Sequence, residues 1–123
     1  MIDADTILKM IENVDPADRD KLDEIDQTVC DYLGKLARPL PRYTRSRDAL
    51  KAIRPAGWQF ELVWISKQEC IGYNGHDKYL ARLVHADTTK QAVYYHHRHS
   101  EELAELHAII QVIAYERAQG GAA

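Results

Sequence analysis

Residues 58–66 read WQFELVWIS. In an extended chain Trp58, Phe60, Leu62 and Trp64 fall on one side, and Gln59, Glu61, Val63 and Ile65 on the other. A period of two, built from aromatic and branched residues, predicts a strand over 58–66. One face of that strand is strongly aromatic. It needs helices on at least one side of the sheet to hide it from water.

Upstream, Pro55-Ala56-Gly57 turns the chain into the strand. Ser46 precedes a short helix over 47–53 and can cap it by accepting from its free N–H groups. The run RPLPR at 38–42 cannot be helical, because its two prolines lack donors and push their predecessors toward extended geometry. Earlier, Leu22, Ile25, Val29, Leu33 and Leu36 recur at spacings of three and four and predict a helix over 16–36. Asp15-Pro16 supplies its start signal, with Asp as the cap and Pro at the first helical position. Asp18, Asp20, Asp23 and Glu24 suit the positive end of its dipole. A first helix is expected after Asp3, with Ile7, Leu8, Ile11 and Val14 as its apolar positions.

Downstream, a loop over 67–77 contains GYNGHD, and a second strand is expected over 79–86. Asp87-Thr88-Thr89-Lys90 reads as a hairpin connection to a third strand over 91–97. Ser100 caps a last helix with Glu101 and Glu102 in its first turn. Leu103, Leu106, Ile110 and Ile113 form its apolar stripe, and Gly120-Gly121 mark its end. Consecutive strands with short connections make a mainly antiparallel sheet. The expected fold class is α+β: two N-terminal helices, a short helix, a three-stranded mainly antiparallel sheet, and a C-terminal helix packed on it in an α-β-α sandwich-like arrangement. The expected organisation is an N-terminal helical segment over 1–37 and an α/β sandwich domain over 38–123, forming one folding unit.

The 123 residues suit a single domain, and 46% hydrophobic with 28% charged residues is ordinary for a folded one. Two cysteines, Cys30 and Cys70, make no CxxC pair or disulfide framework and fit a reducing compartment. No apolar run approaches a membrane span, and MIDADTILKM lacks the pattern of a secretory signal. The expectation is a protein that stays in the cytoplasm of the cell that makes it. Net charge is −3, which argues against general nucleic-acid binding. Its distribution is uneven. Residues 1–31 balance to −7 and residues 32–60 to +6. Such separation gives an acidic and a basic face, or segments that pair with each other.

The run RYTRSRDALKAIRPAGWQFEL, residues 42–62, resembles the signature of the phage α-β-α sandwich domain family. In that family a Tyr-Thr-x-Ser turn opens a short Ala-rich helix, and a Pro-x-Gly-Trp turn closes it before a strand. Tyr43, Thr44, Ser46, Ala49, Pro55, Gly57 and Trp58 occupy those positions. Ser100 to Arg117 resembles the family's closing helix. The likeness covers about 40–118 and loosely LDEID at 22–26. It departs at YYHHRHS, where the family has a small-residue turn, and in a bulkier last helix. The resemblance implies a small accessory product of a phage or prophage. It brings no catalytic list with it, and a fold does not supply a function.

The candidate ligand site is the basic, aromatic-flanked segment: Arg42, Tyr43, Arg45, Arg47 and Lys51, with Trp58 nearby. Guanidinium groups hold phosphate in bidentate fashion and stack on rings. The opposing reading makes Tyr43 and Trp58 core residues and pairs the arginines with the acidic helices. His97 and His99 share a strand face as His-x-His ligands do, yet no Cys, Asp or Glu has supporting spacing, so no metal and no other cofactor is expected. There is no Gly-rich phosphate loop, nucleophile elbow, HExxH or paired-carboxylate motif, and an enzyme is the least supported class. The leading expectation is a non-catalytic phage or prophage accessory protein that binds a host or phage protein. The alternative is a sponge that sequesters a phosphate-containing ligand, such as a nucleotide immune signal, through the Arg-rich turn. Self-association through the N-terminal helices is a further expectation.

Overall fold

Each long helix begins where a short polar side chain takes up free backbone N–H groups. In the computed structural model, which describes residues 3–35, 39–65, 78–85, 87, 92–98 and 100–120, Asp3 accepts from Thr6 N at 2.8 Å and starts α1 (Ala4–Asn13). Asp18 starts α2 (Arg19–Leu33) and accepts from Lys21 N at 3.2 Å. Ser46 starts α3 (Arg47–Lys51), and Ser100 starts α4 (Glu101–Ala118).

Two boundaries of the second helix differ from expectation. Asp15 does not cap it. Its side chain accepts from Ala17 N at 2.9 Å, and its carbonyl accepts from Asp18 N at 2.9 Å. Pro16 therefore sits at the corner of a turn, a position its fixed φ also suits, and helix formation waits for Asp18. At the other end the helix stops at Leu33 rather than Leu36. Gly34 takes φ +70°, and Lys35 N donates to Cys30 O at 3.1 Å, the glycine-based helix stop. The short helix ends at Lys51, two residues before the expected end.

The strands are β1 (Trp58–Ile65), β2 (Lys78–His85) and β3 (Val93–Arg98), in sheet order β1-β2-β3, antiparallel throughout. The expected hairpin at 87–90 falls outside the described residues apart from Asp87, and so does the loop at 67–77. Register aligns Trp58 with His85, Phe60 with Leu83, and Leu62 with Ala81. Trp58, Ala81 and Leu83 are buried, and Phe60 and Leu62 are partly buried against the core. The side chain of Trp64 lies outside the described residues. On the opposite face Glu61 pairs with Arg82 at 2.8 Å, and Tyr94 is 53% exposed.

The fold class is α+β, with α4 packed on β2 and β3. α1 and α3 also pack on α4, and α2 packs on α1, so the layers run sheet, α4, then N-terminal helices. This explains why the last helix is not a one-stripe helix. Every residue from Leu103 to Ile110 is buried, because neighbours press on it from several directions. One core runs from Ile7 and Ile11 through Ile25 and Val29 to Leu83, Leu106 and Ile109, so the N-terminal helices share it with the sheet.

Two polar residues of α4 are buried in that core, and each has a partner. Glu105 meets Arg54. His107 lies 2.9 Å from Glu12 Oε2 through Nε2 and 2.8 Å from Gln111 Nε2 through Nδ1. Gln111 Nε2 also donates to the Tyr94 carbonyl at 3.2 Å. A carbonyl only accepts, so the amide nitrogen is the donor on both sides. His107 Nδ1 then accepts, and the Nε2 proton faces Glu12. This line fastens α1, α4 and β3 together.

Candidate functional site

The basic segment begins as a turn. Arg45 N and Ser46 N both donate to the Arg42 carbonyl, at 3.0 and 2.8 Å, before α3. The turn directs Tyr43 and Thr44 inward, and both are buried. Burial raises the Tyr43 phenol above its usual range. Trp58 is buried as well. It donates from Nε1 to Glu116 at 2.6 Å and meets His85 edge-on at 5.1 Å between ring centres.

The arginines have carboxylates waiting for them. Arg45 pairs with Asp23, and with Asp26 at 2.9 Å. Asp26 is wholly buried and also accepts from Thr44 N at 2.8 Å. Burial lifts the Asp26 carboxyl above its usual range, against the pull of the Thr44 N–H and Arg45. Arg47 pairs with Glu101 at the start of α4. Arg54 pairs with Glu105 and lies 4.4 Å above the Phe60 ring centre. Arg42 and Lys51 stay exposed.

The six predicted ligand residues therefore separate. Tyr43 and Trp58 belong to the core. Arg45 and Arg47 belong to ion pairs. Arg42 and Lys51 remain on the surface. A hollow of about 220 Å³ does lie between Thr44, Arg45, Ser100 and Glu102. Its surroundings do not suit an anion. Arg45, the one cation lining it among the described residues, is already held by Asp23 and Asp26, and the carboxylate of Glu102 lines it as well.

The histidine candidates fall largely outside the described residues. His97 is placed in β3 by its backbone only, and His99 is not described. Among the described residues no three metal-ligating side chains come together. Cys30 is buried as a free thiol, 3.2 Å from the Lys35 carbonyl. Cys70 lies outside the described residues.

A second feature escaped the sequence reading. Where α1 ends and α2 begins, an open groove of about 350 Å³ has Met10, Val14 and Ile25 along its floor. Asp15, Asp18, Lys21 and Glu24 form its rim. Met10 follows the apolar spacing of α1, and Val14 stands at its very end. A stripe that runs on into an Asp-Pro turn was the available signal. Among the described residues no helix is long and apolar enough to cross a membrane.

Comparison with protein-family models, with curated proteins and with solved structures finds no match for this chain.

Proposed function

We propose that this protein is non-catalytic and acts by binding a protein partner through the acidic outer surface of α1 and α2. In the setting that the resemblance of residues 42–62 implies, the partner is a host or phage protein. One contrast carries this reading. Arg45, Arg47 and Arg54 are each engaged by carboxylates of the same chain. Asp5, Asp15, Asp18 and Asp20 are exposed and have no basic side chain in ion-pair contact among the described residues. A face of one sign raises the encounter rate with a partner of the other and rejects partners of its own. The sponge alternative needs free guanidinium groups, and of its three candidate arginines Arg45 and Arg47 are engaged by carboxylates while Arg42 stays exposed.

Two measurements test the proposal together. Tagged protein recovered from infected or lysogenic cells should bring down a defined partner, and an Asp5→Lys/Asp20→Lys variant should lose it. A panel of cyclic and linear nucleotides should leave the melting temperature unchanged. A nucleotide held at 100 times its Kd adds about 2.7 kcal/mol of stability, so a reproducible rise in melting temperature with any of them overturns the proposal.

A further inference from the structure

We propose that the groove between the end of α1 and the start of α2 receives a basic segment of the partner, anchored by one bulky apolar side chain flanked by Lys or Arg. The inference rests on the protein-partner reading above and narrows it to one place and one chemistry. The floor is apolar: Ile25 is buried, and Met10 and Val14 are half-covered. Burying an apolar anchor there removes surface from water on both sides. The volume, about 350 Å³, lies at the low end of the range for ligand pockets, so one large side chain fills much of it.

The rim selects the flanks. Asp15 and Asp18 each hold one carboxylate oxygen on a backbone N–H, to Ala17 and Lys21 respectively. Both side chains are exposed, so the second oxygen stays available. Fixing these carboxylates in advance lowers the entropy lost on binding. Lys21 meets Glu24 at 3.5 Å with both side chains more than half exposed, a weak pair that an incoming cation can replace. With three carboxylates against one ammonium, the rim favours a cationic guest. A second copy of this chain presenting the same groove brings the same sign and is repelled.

The probe is a short amidated peptide of lysines around one central tryptophan, titrated into the full protein. Tryptophan fluorescence and amide chemical-shift mapping read the result. Shifts are expected at Met10, Val14 and Ile25. Replacing the peptide tryptophan by serine should weaken binding about tenfold or more. Asn13→Trp, at an exposed position beside the floor, should plug the groove and weaken binding by a similar factor. Glu24→Lys should weaken it about threefold or more, and raised salt should do the same. Glu24 is exposed and caps nothing, so this variant keeps the test alive if Asn13→Trp fails to fold. Equal binding of the serine peptide, or unchanged binding by the folded variants, overturns the groove. Self-association that Asn13→Trp abolishes also overturns it, since the occupant is then a second copy. Partner capture from cells that survives Asn13→Trp sinks the groove alone. Capture that survives the Asp5→Lys/Asp20→Lys reversal sinks the acidic-surface reading beneath it.

Discussion

The basic segment 42–54 and the acidic helices α1 and α2 carry opposite charge and use it differently. In the first, Arg45 grips α2, and Arg47 and Arg54 grip α4. Two of the carboxylates they meet, Asp26 and Glu105, are buried. In the second, most of the acids point to water. A charge run becomes a clasp where a partner lies across the core, and a surface where none does. The number of charges does not distinguish the two cases; a carboxylate within reach on a packed helix does, and at Asp26 and Glu105 it is buried as well.

The largest expected effect tests the clasp at α4. Arg54→Ala strands the Glu105 carboxylate in the core and removes the stack on Phe60. It should cost about 3 kcal/mol in urea unfolding, with Arg54→Lys recovering part. Asp26→Ala should cost somewhat less, about 2 kcal/mol, because Arg45 keeps Asp23 while Thr44 N loses its acceptor. A cost near zero for either variant would place these residues with the solvent-facing charges.

A smaller effect appears with pH. The Asp26 pKa is raised in the folded state, above the ordinary 3.8. The folded state therefore holds this proton more tightly than the unfolded chain. Stability from Asp26 is greatest below 3.8, falls as pH rises from there through the raised folded pKa, and is flat above it. Asp26→Asn removes that titration. The stability of the native protein relative to Asp26→Asn should decline across this window, and a rise would contradict the assignment. The smallest effect belongs to the surface: Asp20→Lys should alter unfolding free energy by about 0.5 kcal/mol or less while altering partner capture.

The strand at Trp58 was legible because alternation is local and leaves one face to bury. The caps at Asp3, Ser46 and Ser100 were legible for the same reason. The second helix was overrun at both ends. Asp15 and Asp18 are both good caps, and Pro16 fits a turn corner as well as a first helical turn, so local chemistry did not choose. Leu36 keeps the apolar spacing after Gly34 has already turned the chain. The fate of the basic run was open for a different reason. Arg54 and Glu105 stand 51 residues apart, and only the packing of α3 and β1 against α4 brings them together. The groove was hidden because it depends on how α1 and α2 splay at a corner, which periodicity does not encode.

The placement of α4 at the centre has a consequence for how the chain is made. Glu12 meets His107 across 95 positions, and Arg117 reaches the Tyr32 carbonyl across 85. During synthesis α1 and α2 emerge with Ile7, Ile11 and Ile25 exposed, and α4, which packs over α1, is translated only after the three strands. Such long-range closure slows folding and prolongs the time in which a nascent chain can aggregate or engage chaperones. A stop codon ahead of residue 101 removes the one helix on which the sheet, α1 and α3 all pack.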